Sequence, residues 1–409
     1  MAYIDPATGS MLFTLLVSVL GTGTYALREL RMKSRFFLSR GKSETNSENL
    51  PFVIFSDSKR YWNLFEPICD EFEKRGQTVT YYSMSEDDPA LTKRYDHVIC
   101  KYIGTGNKAF NTLNTIHADI ILSTTPGLDV YQWRRSENAK WYSHILHMIN
   151  DPATYRMFGL DYYDSVLLSG SYQINQIREL ESLRSLPAKE LEVVGMPYLD
   201  SMKERARSLR CKDDHETTIL LAPSWGESSI LQKYGGKIIK RLLETGYHII
   251  IRPHPQSFES EKDLMNSLIR EFPASDQLEW NRDNDNFEVL SRADLLISDY
   301  SNVMFDFSFI FRKPFVYVDA IFDKSPYDAC WLKEELWTFE VLPKIGSSLM
   351  PEDLDHLKER LDILINNESL QERINEVIEE SWANIGTSAA RTVDYLISKR
   401  SALLEMEGV

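Results

Sequence analysis

The chain is poor in cysteine. Its four cysteines, Cys69, Cys100, Cys211 and Cys330, lie far apart in 409 residues. Their spacing matches neither a disulfide framework nor a set of metal ligands, so it indicates neither a disulfide-rich secreted scaffold nor a zinc-binding domain. Such cysteine usage is typical of a protein in a reducing compartment.

Positive charge is also scarce. The chain has 46 Lys and Arg against 61 Asp and Glu, which gives a net charge of −15. Broad nucleic-acid binding needs a basic face, so this balance argues against a nucleic-acid partner. There is no internal repeat and no long low-complexity segment. With 43% hydrophobic and 26% charged residues the chain has a globular composition, and its length suggests two domains, each with its own core.

The amino-terminal segment has no charge between residues 6 and 27. Its apolar core runs from Met11 to Leu27, and six Lys and Arg follow between residues 28 and 42. A secretory signal would carry its positive charge in front of the core. The length is just enough for a span of about 20 residues, and the charge behind it favours a single-pass anchor with the bulk of the chain in the cytoplasm. A membrane-surface helix, or a helix packed on a partner protein, is the alternative.

From residue 51 onward apolar strands alternate with amphipathic helices, which is the pattern of a parallel α/β sheet. After an anchor and linker over 1–50, we predict two Rossmann-like domains, 51–210 and 211–409, that face a cleft. The second domain is predicted to open with a strand over 217–226 and one helix that ends at Gly246. Neither domain carries GxGxxG after its first strand, so a dinucleotide site has little support.

Residues 295–319, LLISDYSNVMFDFSFIFRKPFVYVD, are the most informative segment. An apolar strand from Leu295 to Ile297 is followed by a polar turn, a helix from Asn302 to about Phe311 and a second strand. Such a turn lies at the carboxyl end of a sheet, where ligands bind. The Ser301 hydroxyl and the first free amides of the helix predict a phosphate site. An ordinary helix N-cap is the alternative.

Two histidines follow other predicted strands. His254, in RPHP, could donate a hydrogen bond to an anionic oxygen, and Arg252 beside it adds positive charge. His147, in SHILHMI of the first half, could act as a general base on an incoming hydroxyl. His144, three residues earlier, is expected to face the opposite side of the strand. The alternatives are a turn brace for His254 and a core histidine for His147.

Two further side chains are candidates for donor contacts. Glu288 lies on a short predicted helix before the strand at 295, where its carboxylate could accept hydrogen bonds from ribose hydroxyls. Ser224, in APSWG, could bind a ligand at the end of its strand. A solvated helix face and a simple turn are the respective alternatives.

Three motifs, APSWG at 222–226, RPHP at 252–255 and SDYSNVMFDF at 298–307, resemble in order and separation the CDP-glycerol glycerophosphotransferase family, which includes teichoic acid primases and polymerases. GMPYLDSM at 195–202 resembles the segment that ends the first half in that family. The resemblance covers roughly residues 140–395 and is strongest over 217–320.

The resemblance implies a GT-B fold and catalysis without a metal ion or other cofactor. It implies a CDP-glycerol or related CDP-polyol donor, release of CMP and a lipid-linked or polymeric glycan acceptor at the membrane. It also implies that His147 is the base, that His254 lies near the donor pyrophosphate and that Glu288 lies near the ribose. The predicted donor site comprises Ser224, Arg252, Glu288, Asp299, Ser301, Asn302 and Asp306.

The chain departs from the family in one place. Polymerases tend to read His-Gly-Thr-Pro, whereas residues 147–152 read HMINDP, which leaves the acceptor and the base assignment open. Two other functions also stay open. One is a GT-B glycosyltransferase that uses a nucleotide sugar, and the other is a non-catalytic membrane-bound scaffold. The intact RPHP and SDYS motifs argue against the scaffold, which needs no phosphate site.

Overall fold

The computed structural model describes residues 49–209, 216–283, 285–299, 301–318, 322–367 and 369–408. Residues 50–409 form one compact unit. The predicted anchor, Met11 to Leu27, lies outside the described residues and stays a prediction. Within the described ranges, no helix combines the length and the apolar character that crossing a bilayer requires.

A parallel sheet of seven described strands occupies the first half. They are β1 Leu50–Ser56, β2 Val79–Ser83, β3 Val98–Tyr102, β4 Ala118–Ser123, β5 Ala139–Ile145, β6 Ser165–Leu168 and β7 Glu190–Val193. Their order is β3-β2-β1-β4-β5-β6-β7. The order reverses between β1 and β4, so their carboxyl ends flank a crevice of the kind in which α/β sheets bind ligands. The connecting helices are α1 Trp62–Lys74, α2 Asn107–Leu113, α3 Gln173–Arg184 and α4 Pro197–Arg207.

A second parallel sheet of six described strands follows. They are β8 Thr218–Leu221, β9 His248–Ile251, β10 Leu278–Trp280, β11 Leu295–Ser298, β12 Phe315–Val318 and β13 Gly346–Leu349. Their order is β10-β9-β8-β11-β12-β13, which reverses between β8 and β11. Two parallel α/β sheets of this kind are consistent with the predicted GT-B fold.

The edge strand β13 was not predicted from the sequence. Its residues, GSSL, include one buried apolar side chain, Leu349, so no apolar run marks it. Gly346 lets β13 approach β12 closely, because a Cβ atom at this position would lie 2.3 Å from a ring carbon of Phe315. Packing against β12 therefore decides this strand.

The helices of the second half differ from prediction in one place. They are α5 Ile230–Tyr234, α6 Gly236–Leu243, α7 Ser257–Ser260, α8 Lys262–Glu271, α9 Phe287–Arg292, α10 Val303–Phe311, α11 Trp337–Ile345, α12 Leu357–Ile365, α13 Ser369–Ser381 and α14 Ser388–Glu407. The prediction of one helix ending at Gly246 is wrong, because Gly235 adopts φ +50° between α5 and α6. A left-handed glycine ends one helix and lets the next begin in a new direction.

The strands bury both faces. Along β1, Phe52 and Ile54 belong to a large hydrophobic cluster with α1, whereas Val53 and Phe55 belong to a cluster on the opposite face. The large cluster continues into the second half, where it includes Leu296 of β11. Alternate side chains point to opposite faces of a strand, so helices must cover both sides of each sheet.

The carboxyl-terminal helix returns to the first half. α14 contacts α1 and β4, and Arg400 donates to the fully buried Asp119 at 2.8 Å. Lys140 lies 3.1 Å from the same carboxylate, so two cations compensate its charge. The predicted domain boundaries stay predictions, since the one between 210 and 211 lies outside the described residues.

Candidate active site

A cavity of about 390 Å³ is lined by residues from both halves. The first half contributes the segments after β1, β5 and β7, and the second half contributes those after β9 and β11. Six predicted site residues line this cavity: His147, Arg252, His254, Ser301, Asn302 and Asp306. We refer to it as the first cavity.

The turn between β11 and α10 brings the predicted phosphate site to the first cavity. β11 ends at Ser298, α10 begins at Val303, and Ser301 and Asn302 line the cavity between them. The backbone N–H of Met304 already donates to the Ser301 carbonyl at 3.2 Å. The amino-terminal end of α10 carries the positive end of the helix dipole, which favours an anion there.

His254 presents a hydrogen-bond donor. The backbone N–H of Gln256 donates to Nδ1 of His254 at 3.1 Å. A neutral imidazole that accepts at Nδ1 carries its proton on Nε2. Burial lowers the pKa of His254, and the nearby positive charges of Arg60 and Arg252 lower it further. His254 is therefore a neutral N–H donor at neutral pH.

His147 presents an acceptor. Its Nδ1 lies 2.9 Å from the Thr124 hydroxyl, which donates its only proton to the Ile145 carbonyl at 2.7 Å. In the tautomer that satisfies both contacts of Thr124, Nδ1 of His147 is the donor and the lone pair lies on Nε2. A general base needs such a lone pair.

The expectation that His144 and His147 face opposite directions is wrong. Both rings approach the Tyr155 hydroxyl at 3.1 Å, His144 through Nε2 and His147 through Nδ1. The alternation rule fails because β5 ends at Ile145, so His147 lies in the bend beyond the strand. His144 is fully buried, and burial lowers its pKa.

The electrostatics of His147 depend on burial and on Arg60. Burial lowers the pKa of His147 to about 3, and the positive charge of Arg60 is the next cause. The ring of Tyr61 packs against His147 with centroids 4.8 Å apart. His147 is therefore neutral at physiological pH, and in the unliganded protein it is a weak base.

A half-buried carboxyl group completes the lining. Asp306 accepts a hydrogen bond from the Tyr198 hydroxyl at 2.7 Å and one from Asn286 at 3.4 Å. Burial raises the pKa of Asp306 to about 6, although both hydrogen bonds oppose this. The two hydrogen bonds thus fix the orientation of this carboxyl group.

Three predicted donor residues lie outside the lining of the first cavity. Asp299 is buried and accepts from the backbone N–H groups of Ser224, at 2.8 Å, and Ile230, at 3.2 Å, so it joins the segment after β8 to the turn after β11. Glu288 is exposed and lies 3.9 Å from Arg205. The donor-binding roles of Ser224, Glu288 and Asp299 stay predictions.

Sequence reasoning missed Arg60 and Tyr61, which line the first cavity. Arg60 is exposed and donates to the Tyr61 hydroxyl at 2.7 Å. The signal was available, since both residues follow β1, and the carboxyl end of a first strand is a common ligand position in α/β sheets. The described residues include no cluster of three His, Cys, Asp or Glu that could hold a metal ion.

A family model described as CDP-glycerol:poly(glycerophosphate) glycerophosphotransferase matches residues 158–330. The predicted family resemblance is confirmed. The match also supports the assignment of this chain as an enzyme of the CDP-glycerol glycerophosphotransferase type. The matched residues include His254 and the whole β11–α10 turn. No curated protein matches the chain in sequence.

Solved structures share the fold. The wall teichoic acid polymerase TagF is 16% identical, with a TM-score of 0.58, and the match covers 95% of this chain and 99% of that chain. A TagF variant solved with CDPG matches with a TM-score of 0.59 at the same identity and coverage. The UDP-GlcNAc 2-epimerase from Neisseria meningitidis bound to UDP-GlcNAc is 12% identical, with a TM-score of 0.53, over 85% of this chain and 99% of that chain. At such identities the likeness extends to the fold alone.

Proposed function

We propose that this chain transfers a polyol phosphate, most readily glycerol phosphate, from a CDP-linked donor to a hydroxyl group of a cell-envelope glycan or lipid-linked acceptor. One observation carries the proposal. Two neutral histidines of opposite hydrogen-bonding character line one cavity, His147 with a lone pair on Nε2 and His254 with a proton on Nε2. Transfer of a phosphoryl group between oxygens needs this pair of properties.

The second half would hold the donor. His254, Arg252 and the amino-terminal end of α10 all belong to the second half and line the first cavity, where they would donate to the pyrophosphate oxygens. Hydrogen-bond donors that are already in place stabilise the charge that develops on the departing CMP. The match to the glycerophosphotransferase family model and the fold shared with TagF support a CDP-glycerol donor.

His147 would take the proton of the acceptor hydroxyl. The hydroxyl oxygen then bonds to the β-phosphorus, the bond from that phosphorus to the bridging oxygen breaks, and CMP leaves with the bonding electrons. The negative charge of the bound donor raises the pKa of a neighbouring imidazole. Donor binding would therefore make His147 a stronger base than it is in the unliganded protein. A positioned base contributes about 10²–10⁴-fold.

The membrane position rests on the amino-terminal segment. A single-pass anchor over residues 11–27, followed by positive charge, would hold the catalytic part on the cytoplasmic face. The acceptor would then be a lipid-linked or polymeric glycan at that surface, as in teichoic acid synthesis. Donor, enzyme and acceptor would meet at one membrane.

The test uses the full-length protein in detergent with a lipid-linked glycan acceptor. CDP-glycerol, CDP-ribitol and a UDP-hexose are supplied separately, and released CMP or UMP is measured beside the mass of the acceptor product. We expect CMP and a mass gain of one glycerol phosphate. A hexosyl product would instead support a glycosyltransferase. Binding of CDP-glycerol without release of CMP to any acceptor would support a scaffold.

A further inference from the structure

A second cavity, of about 200 Å³, adjoins the first. Met148 and Asn302 line both cavities, and the Asn302 side-chain N–H₂ lies 3.5 Å from the Met148 sulfur. Met148 directly follows His147 in the chain. Met148 and Asn302 therefore lie at the boundary between the two cavities, and His147 lines the first cavity directly beside this boundary.

The described lining of the second cavity carries no charge. Its described lining residues are Met148, Asn150, Thr154, Asn302, Phe322, Tyr327, Leu336, Thr338 and Phe339, none of which has a charged side chain. The first cavity differs, since Arg60 and Arg252 line it. A phosphate that enters the second cavity would lose its hydration, and no positive charge of the described lining would replace it.

Three polar atoms of this cavity are available as hydrogen-bond acceptors. The hydroxyl protons of Thr154 and Thr338 are already donated to the backbone carbonyl and the carboxylate of Asp151, respectively. Asn150 is only 8% exposed, and its side-chain oxygen has no partner among the described residues. Such atoms pair with a ligand that brings O–H donors, whereas a phosphate group brings acceptors. The fully buried carboxylate of Asp151 behind the two threonines disfavours an anion further.

Aromatic rings complete the wall. Phe322 and Tyr327 are stacked with centroids 5.3 Å apart, and Phe339 lies 5.7 Å from Phe322. Apolar and aromatic walls with a few placed polar groups are the usual composition of small-ligand sites. A sugar ring, which has apolar faces and hydroxyl edges, suits such walls, and about 200 Å³ is small next to the roughly 300–1,000 Å³ of drug-sized pockets.

We propose that the second cavity binds the terminal residue of the acceptor as a neutral, hydroxyl-bearing sugar ring and discriminates against an acceptor end that carries phosphate. This inference rests on the proposed function. It concerns the segment where HMINDP departs from the family pattern, because Met148 and Asn150 are two of its residues. The enzyme would accordingly add a polyol phosphate to a sugar rather than extend a poly(polyol phosphate) chain.

The direct test compares two synthetic acceptors with the same lipid tail, one ending in an N-acetylhexosamine and the other in glycerol phosphate. Full-length protein is supplied with CDP-glycerol, and kcat/KM is measured for each acceptor. We expect at least about a fivefold preference for the sugar end, the factor that one lost hydrogen bond of about 1 kcal/mol gives. Equal rates or a preference for the glycerol phosphate end would overturn the inference and leave the proposed function standing. Absence of transfer to both would overturn the proposed function and this inference with it.

Variants localise the effect. Asn150→Leu keeps the size of the side chain and removes its polar atoms, so KM for the sugar-ended acceptor should rise about fivefold while the dissociation constant of CDP-glycerol stays unchanged. Tyr327→Leu, at a half-buried position, removes one aromatic wall and should act in the same direction if Asn150→Leu fails to fold. Asn111→Leu, on the exposed surface of α2, is the matched control. A loss of kcat at unchanged acceptor KM in both cavity variants would contradict acceptor binding here.

Discussion

His147 and His254 differ in which nitrogen carries the proton, and neighbouring groups set this difference. The Thr124 hydroxyl accepts a hydrogen bond from His147 Nδ1–H, whereas the backbone N–H of Gln256 donates to Nδ1 of His254. Each histidine consequently presents its Nε2 in one defined state. A substitution that removes the Thr124 hydroxyl should therefore change catalysis through the tautomer of His147 without touching a substrate.

Removing each histidine should separate proton transfer from donor binding. His147→Ala should lower kcat by about 10²–10⁴-fold, the contribution of a general base, with little change in CDP-glycerol affinity. His254→Ala should weaken donor binding as well as rate, because its N–H faces the donor wall. Calorimetry beside initial rates checks both, and thermal midpoints confirm folding. If His147→Ala loses donor affinity in step with rate, His147 is a ligand residue instead of a base.

The protonation of His147 should depend on Arg60. In the unliganded protein the pKa of His147 is about 3, so its imidazole should not titrate between pH 5 and 8. Arg60→Gln removes a positive charge that disfavours the imidazolium, and the pKa should therefore rise. NMR titration of the His147 ring protons in both proteins measures the change. An unchanged titration in Arg60→Gln would leave burial as the sole cause.

Activity should show the same coupling in the wild-type protein. A base works only when deprotonated, so rate is lost as pH falls through its pKa. kcat/KM for the donor reports the free enzyme, where the His147 pKa is low, and kcat reports the complex, where the donor anion raises it. As the pH is lowered, kcat should therefore begin to fall at a higher pH than kcat/KM does, as far as His147 causes either loss. If kcat and kcat/KM fall at the same pH, the group whose protonation is observed is not His147.

At the scale of elements, the segment after β5 joins the two halves. The buried carboxylate of Asp151, in the first half, accepts the backbone N–H groups of Trp337, at 2.8 Å, and Thr338, at 3.0 Å, at the start of α11. It also accepts the Thr338 hydroxyl and the Gln176 side chain. Asp151 therefore acts as the amino-terminal cap of a helix that lies 186 residues further along the chain.

Loss of this cap should destabilise the protein. Asp151→Ala leaves the first amides of α11 and the Thr338 hydroxyl without an acceptor, which should reduce the free energy of unfolding by about 2–4 kcal/mol. Asp151→Asn keeps an acceptor oxygen and should cost less. Urea denaturation of both variants measures the difference. A loss below about 0.5 kcal/mol in Asp151→Ala, within the range of ordinary surface substitutions, would show that water replaces the carboxylate.

At the scale of the whole molecule, the compact unit begins at residue 50. Both sheets and every described helix lie within it, so we expect the fold to form without the predicted anchor. The net charge of −15 belongs to the full chain, and the six cations at residues 28–42 precede the compact unit. An anionic membrane would attract that segment and repel much of the rest.

Deleting residues 1–40 should give a folded protein that stays in solution. Because the hydrophobic clusters lie after residue 50, its thermal midpoint should match that of the full-length protein in detergent. Flotation with vesicles should recover the full-length protein and leave the truncated one behind. Full-length protein found wholly in the soluble fraction would contradict a spanning anchor, and an aggregated truncation would show that the fold needs the segment.

Local periodicity alone determined most of the strands and the helix that follows β11. Buried parallel strands such as β8, β9 and β11 consist of apolar residues, and Val303–Phe311 follows a polar turn, so short windows of sequence carry the signal. β13 and the break at Gly235 carry no such signal. Packing against β12 determines strand β13, and a positive φ angle that glycine permits determines the break at Gly235.

The candidate site divides in the same way. The sequence by itself determined which side chains follow the strands, because the order of apolar and polar residues shows where strands end, and it marked His147, His254 and the β11–α10 turn. Only the tertiary structure decided that His147 and His254 line one cavity, which nitrogen of each carries the proton, and that Asp299 braces Ser224 instead of lining that cavity. The shared cavity and the Asp299 contact depend on residues far apart in the chain, such as Asp299 and Ser224, and the sequence pattern of either partner contains no record of the other.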